Sequence, residues 1–436
     1  MRQNSIVQRI MEHLDAAPTP YHAVERVKMK LSEAGFEALN EAEEWDLKAG
    51  EKYYVQRRDA SILAFIYGRD ELDKTGIRLV GAHTDSPVLK VKPNPDQNKL
   101  SYKQLGIEVY GGALLNPWFD RDLSIAGRVV VDGKDGVDIK LIDFKRPIAF
   151  IPSLAIHLDR SANQNRTVNP ETDMMPVLMQ VGPDNNEQEA VSFNALLATE
   201  ISRQGFSCGE SDIVDFDLSF YDTQGAARVG IEEQFIASAR LDNLLSSFIG
   251  LESFLQSDGE QSAILALFDH EEVGSQSDVG ARSNFLMAFL ERLVSSTEKR
   301  HRMLHNSMIL SVDNAHGIHP NYASKHESGH APLLNKGPVI KYDANQSYAT
   351  CIDTSSIIKS LAKSEGVPLQ QYVTRADMRC GSTIGPMSAA QTGMRTIDLG
   401  IATFGMHSIR ELAGCDDLCH LEGLLTAFFK MRSLSL

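Results

Sequence analysis

The chain has 436 residues, 42% of them hydrophobic and 23% charged, a globular composition that can bury one large core or two moderate ones and that excludes a chain dominated by disorder. A formal net charge of -15 and a pI near 5.4 argue against a nucleic-acid partner, because neutralising phosphates takes clustered Lys and Arg. The opening MRQNSIVQRIMEHL lacks the apolar stretch and cleavage site of a secretory signal, and no later segment reaches the length of a membrane span. The cysteines, Cys208, Cys351, Cys380, Cys415 and Cys419, are odd in number and scattered, which fits reduced thiols in a cytoplasmic enzyme that meets no membrane.

From Ser5 onward, Ile6, Ile10, Met11 and Leu14 fall at helical spacing and predict a first helix. Thr19 as cap, with Pro20 in the first turn, predicts a second helix ending near Gly35. The apolar run IRLVGAHTD follows and ends abruptly in His and Asp. The pattern then turns β-rich: GRVVVDGKDGVDIKLIDF reads as a hairpin and DIVDFDLSFYD as a further alternating strand. Beyond it, AILALFDHEE, MILSVDN and IDLGIATFGMH repeat the plan of the first run, Ile, Val and Leu closing on Asp, Glu or His. Buried parallel strands read this way, and ligands in open α/β sheets bind beyond the carboxyl ends of the strands. The fold class expected is α/β: a catalytic domain with a central mixed sheet flanked by helices, residues 1–94 and 236–436, interrupted by a β-rich domain, residues 95–235, that serves as a lid or a dimerisation surface.

The chemistry collects at the ends of those runs. His83 and Asp85 form an H-x-D pair in which His binds metal and Asp orients it; alone, such a pair also fits a structural histidine. Asp242, in SARLDNLLSSF, lies where an extended approach gives way to a helical pattern, so it either favours a helix start or bridges two cations. Glu271 and Glu272 leave the strand LALFDH; as an alternative to a solvated turn, one ligates a metal while the other takes a proton from water, and their order suggests Glu271 as base and Glu272 as ligand. Asp313 and His407 complete a mixed nitrogen and oxygen set suited to Zn2+, with Mn2+ or Co2+ as substitutes. The absence of H-E-x-x-H, G-x-S-x-G, P-loop and G-x-G-x-x-G patterns argues against a thermolysin-like site, a serine hydrolase and a nucleotide enzyme.

The segments GAHTDSPVLKVKP, SARLDN, FDHEEVGS, DNAHGIHPNY and GMHSIRE resemble those of the aspartyl aminopeptidase family, in order and across nearly the whole chain. The resemblance implies an α/β catalytic domain with an inserted dimerisation domain, assembled as a tetrahedral homododecamer. It implies two Zn2+ per chain, one held by His83 and Asp313, the other by Glu272 and His407, with Asp242 bridging, Glu271 as general base and Asp85 orienting His83. It further implies that His157 reaches the active site of a neighbouring subunit, that Lys341, Tyr348 and His316 line the substrate pocket, and that the reaction removes a single N-terminal residue, preferably Asp or Glu, from a peptide. A preference for neutral N-terminal residues, another two-metal amidohydrolase such as a carboxypeptidase or deacylase, and a non-enzymatic scaffold are the competing readings.

Overall fold

The computed structural model describes residues 2–133, 136–181 and 191–434. The chain divides into two compact units, the first made of residues 1–86, 226–406 and 411–436, the second of residues 87–225 and 407–410. These divisions fall earlier than the expected 94/95 and 235/236 for a visible reason. A cut at 94/95 runs through the strand Val88–Lys99, and one at 235/236 through Phe235–Ser238, which pairs with Ala227–Val229 and Glu411–Gly414 inside the first unit.

In the first unit a nine-stranded sheet runs in the order Glu37–Leu39, Lys52–Arg57, Ser61–Ile66, Ala263–Phe268, Arg78–His83, Met308–Val312, Arg395–Gly400, Val339–Tyr342 and Gln370–Val373. The four strands from Ala263–Phe268 to Arg395–Gly400 are mutually parallel, and antiparallel neighbours flank them. These four are the apolar runs singled out in the sequence. Their residues alternate between two cores: Val80, Leu265, Leu310 and Ile397 face one, while Leu79, Ile264 and Ile309 face the other. Both faces being covered, each strand reads as an unbroken apolar run rather than an alternating one.

The helices Arg2–Asp15, Pro20–Glu33, Leu241–Leu255, Ile352–Glu365 and Cys415–Phe429 contribute to the first core, and Phe285–Leu293 and Thr297–His305 to the second. Thr19 caps the second of these helices by accepting the His22 N–H, as its sequence predicts. Leu241–Leu255 is buried on nearly all sides, which is why it lacks a polar stripe. One expected run is divided: Arg395–Gly400 stays in the large sheet, whereas Ala402–Phe404 passes into a five-stranded sheet with Ala227–Val229, Phe235–Ser238, Glu411–Gly414 and Ala315–His316. His407 therefore does not close a strand of the large sheet.

The second unit is built on a six-stranded antiparallel sheet in the order Gly136–Asp143, Leu123–Gly133, Ile213–Asp222, Val88–Lys99, Tyr102–Tyr110 and Val177–Gln180. The hairpin expected in GRVVVDGKDGVDIKLIDF forms with Gly133 opposite Gly136; its connection, residues 134–135, lies outside the described residues. The sheet's own core gathers Leu89, Ile107, Trp118, Ile125 and Phe220, and the helix Phe193–Arg203 adds Phe193, Leu197 and Ile201. That helix was not expected from the β-rich pattern.

Candidate metal centre

His83 is the last residue of its strand and is buried. Its Nδ1 stands 3.2 Å from Asp85 Oδ1, and its Nε2 stands 3.4 Å from Asp242 Oδ1, 3.8 Å from Asp313 Oδ1 and 4.0 Å from Glu271 Oε2. One donor atom each from His83, Asp242 and Glu272 lie within 4.8 Å of one another. Residues from four separate stretches of the first unit thus meet at the carboxyl end of the parallel strands.

Local structure explains how each side chain is held. The strand Ala263–Phe268 ends before His270, whose left-handed backbone (φ 62°) turns the chain into the short 3-10 helix Glu271–Val273, and Gly274 at φ 96° turns it away. Asp85 grips this turn: its two carboxylate oxygens accept the N–H groups of Glu271 and Glu272, each at 3.1 Å. Asp242 follows the left-handed Arg240, whose guanidinium donates to the carbonyls of Ala17 and Leu14. Glu411, buried, accepts the Asp242 N–H at 2.9 Å, and Asn243 and Asn314 donate to the carbonyls of Val312 and Leu241. Ser247 donates to the His83 carbonyl at 2.7 Å. The supporting roles of Glu411, Asn243, Asn314 and Ser247 carried no signal in the sequence, although Glu411 closes the segment GMHSIRE and Asn314 opens the NAH that follows Asp313.

The electrostatics follow from crowding carboxylates away from water. Burial pushes Glu271 up to about 8, helped by the charges of Asp313, Glu272 and Asp85 and opposed by His83. Burial lowers the His83 imidazolium, but Asp242, Asp313 and Asp85 outweigh it and hold the group well above its ordinary value. Burial likewise raises Asp313, yet Lys341 at 3.3 Å and His83 keep it well below the usual carboxylate range. Lys341 is itself buried against Asp313 and lies 5.3 Å from the Tyr348 ring centre.

These residues fit a divalent metal. Asp313 Oδ1 is buried and accepts no hydrogen bond among the described residues, and the five carboxylates of Asp85, Asp242, Glu271, Glu272 and Asp313 crowd about His83, with Lys341 paired to Asp313. Two donors at about 2.1 Å from one zinc ion stand at most roughly 4.2 Å apart, a span that contains the 3.4 and 3.8 Å separations about His83. Imidazole nitrogen with carboxylate oxygen, and no thiolate, is a donor set for zinc in a catalytic rather than a structural site.

The remaining expected residues lie elsewhere or in the second unit. His316, exposed, ends the two-residue strand Ala315–His316, three positions beyond Asp313, its ring edge-on to Tyr372 at 5.9 Å between centres. His407 belongs to the second unit, where its Nδ1 faces the Gly112 carbonyl at 3.2 Å and its own carbonyl accepts the Leu114 N–H. His157, also in the second unit, is exposed in a turn, not on a strand, between the exposed Ile156 and Leu158.

A strand-end cluster of histidine and carboxylates on an α/β sheet fits the class of metal-dependent hydrolases. The chain matches, over residues 13–429, the family described as aminopeptidase I zinc metalloprotease (M18), and it belongs to that family of zinc aminopeptidases. It is 49% identical over 432 residues to a probable M18 family aminopeptidase 2 from Stutzerimonas stutzeri (strain A1501), covering 99% of this chain and 100% of the relative. Among solved structures it is similar to a chain of the Ape4 and Nbr1 complex, 38% identical with a TM-score of 0.94 over 98% of this chain and 86% of that one. It is also similar to mApe1 of S. cerevisiae, solved as a dodecamer, at 28% identity and a TM-score of 0.84 over 98% of this chain and 97% of that one. No helix among the described residues is long and apolar enough to cross a membrane.

Proposed function

We propose that the chain removes single N-terminal residues, preferably Asp or Glu, from peptides at a two-zinc site with Glu271 as the general base. The observation that carries this reading is the convergence of His83, Asp242 and Glu272 within 4.8 Å of one another, with Asp313 and Glu271 within 4.0 Å of the same His83 nitrogen. In this reading His83 and Asp313 hold one ion, Glu272 and His407 the other, and Asp242 serves both. Zinc bound there supplies Lewis acidity toward the scissile carbonyl and toward the attacking water.

The side chains supply the rest. Glu271 is not needed as a ligand in this assignment, and its carboxylate, beside the ligands and held in their frame by the Asp85 contact to its backbone N–H, is placed to take a proton from water and return it to the departing amine. Asp85 fixes both the His83 ring and the Glu271–Glu272 turn, so ligand and base keep a common frame. Lys341 spends one of its three donors on Asp313, leaving two for an acidic substrate side chain beside Tyr348 and His316. The same reading gives the second unit a dimerisation or lid role within a tetrahedral homododecamer, as the dodecameric state of the similar S. cerevisiae mApe1 suggests, with His157 serving a neighbouring subunit's site. It places the protein in the cytoplasm, consistent with five free cysteines.

The test is a panel of tripeptides differing only in the first residue, with the wild type and Glu271→Gln. The reading expects Asp and Glu to be released with higher kcat/KM than Leu, and Glu271→Gln to lower kcat by about 10²–10⁴-fold while zinc remains bound. Faster release of Leu would remove the acidic preference, and a fully active Glu271→Gln would remove the base.

A further inference from the structure

A second feature of the first unit follows Asp313 along the chain and shares His316 with the substrate pocket proposed above. Beyond Asp313 the chain enters the Ala315–His316 strand and opens on a cavity of about 270 Å3. Its lining includes His316, His319, Lys325, His326, Tyr372 and Arg379. Ligand pockets usually exceed about 300 Å3, so this one suits a group of one or two residues rather than a whole peptide.

The wall is basic, and its cations are unequally engaged. Arg375 also lines the cavity but is held by both carboxylate oxygens of Asp377, at 2.9 and 2.6 Å. Glu327, the acidic residue of the lining, lies 2.6 Å from His330 Nδ1. Lys325 and Arg379 are exposed; Lys325 lies in the field of Asp377, whose carboxylate oxygens are both already held by Arg375, so both cations remain open to a further anion. The histidines add donors. The Asn321 N–H donates to His319 Nδ1 and the His319 N–H to His326 Nε2, so in each neutral ring the other nitrogen carries the proton and can donate.

We infer that this cavity is an anion subsite that binds a carboxylate of the peptide on the leaving side of the scissile bond, with Lys325 and Arg379 as its cations. The leaving side is assigned because the N-terminal side chain is already served by Lys341 and Tyr348, with His316 at the boundary between the two subsites. Lys341 and Tyr348 stand at Asp313 itself, whereas His316 lies three positions further on, a reach of up to about 10 Å. That reach corresponds to two or three residues of extended peptide. A short peptide carries its terminal carboxylate at that distance, and an acidic side chain one or two residues beyond the cut arrives there as well. Arg379 offers the planar fork that pairs with a carboxylate, and Lys325 a mobile point charge.

The inference rests on the aminopeptidase reading of the Asp313 site, and its test keeps the two apart. The wild-type enzyme, loaded with zinc, is assayed on a tripeptide with its best N-terminal residue, first as the free acid, then as the C-terminal amide, then as an amide with Glu in the last position. The free acid is expected to exceed the plain amide roughly tenfold in kcat/KM, expressed mainly in KM, as loss of a charge-assisted pair predicts. In the double variant Lys325→Ala with Arg379→Ala that ratio falls to about one. Recovery of rate by the Glu-containing amide assigns the carboxylate to a side chain, and no recovery assigns it to the chain terminus; both support the subsite. Equal kcat/KM on acid and amide in the wild type, or a ratio untouched in the variant, overturns the subsite alone. A wild type inert on every peptide overturns the aminopeptidase reading and the subsite with it. Lys325→Arg with Arg379→Lys, which keeps the charge, restores most of the preference if charge and not folding is responsible.

Discussion

Asp85 shows how much of the metal centre depends on one carboxylate. It serves the His83 ring and two successive backbone N–H groups at once, so each oxygen must be an acceptor. An asparagine presents an N–H to one of those donors, and Asp85→Asn is therefore expected to be no milder than Asp85→Ala. Both should lower zinc affinity or kcat/KM by about 10–100-fold, the usual effect of removing a partner behind a metal ligand. Competition with a chromophoric chelator measures the affinity directly, and a wild-type Asp85→Asn would show that the turn holds without the fork. Glu411 allows a gentler distinction. Gln keeps an oxygen for the Asp242 N–H, whereas Glu411→Ala leaves a buried donor unsatisfied and should cost about 1–3 kcal/mol. At this scale the sequence displays residue types at strand ends but not their neighbours. His83, Asp242, Glu271, Glu272 and Asp313 could be singled out because each follows or precedes an apolar run. Nothing local distinguishes a lysine buried against Asp313 from a solvated one, and the buried carboxylate of Glu411 looks like any other Glu.

Among the elements, the first helix and Leu241–Leu255 are tied by polar as well as apolar contacts. Arg9 and His13 contact Glu252 at 2.7 and 3.0 Å, and the His13 ring stacks on Phe248 at 4.7 Å. Burial would raise Glu252, but His13 and Arg9 outweigh it and hold its carboxyl below the ordinary value. A group whose folded pKa is depressed contributes stability that is fully present above its unfolded pKa of about 4.3 and is lost as pH falls through the folded value. Glu252→Gln should thus lower the urea midpoint at pH 7, by roughly 1–2 kcal/mol in stability, and the gap to wild type should close once the pH is below the Glu252 pKa. A gap of constant size across that range would contradict the ion-pair account. Phe248 is completely buried in the same helix, and Phe248→Ala should cost about 3–5 kcal/mol at any pH. The four parallel strands were legible because burial on both faces removes the alternation that would otherwise mimic surface strands. The split of IDLGIATFGMH at Ile401 was not, since both halves are apolar and buried in different sheets. The helix Phe193–Arg203 was missed because it lies between alternating stretches, Leu123–Gly133 and Gly136–Asp143 on one side and Ile213–Asp222 on the other, and its apolar residues Phe193, Leu197 and Ile201 join the core of that same sheet.

The molecule as a whole consists of two units sewn together by crossings at Ser86/Pro87 and Gly225/Ala226 and by the short return of His407–Arg410. The family and the fold were readable because five separated segments keep one order along the chain; the exact crossings were not, because they carry no composition shift and lie in short connections outside any strand or helix. If the metal centre is a ligand site of the first unit, zinc should stabilise the folded protein by mass action, about 2.7 kcal/mol at a free concentration one hundred times the dissociation constant. Thermal unfolding with and without a chelator reads this, and an unchanged midpoint would mean that the ions bind elsewhere or only after unfolding. The most direct test of the two-zinc account is a titration of chelator-stripped protein with zinc, following hydrolysis of an Asp- or Glu-initiated peptide and bound metal together. Activity is predicted to be absent without metal and to rise until two equivalents are bound per chain; full activity at one equivalent, or in the stripped protein, would contradict it.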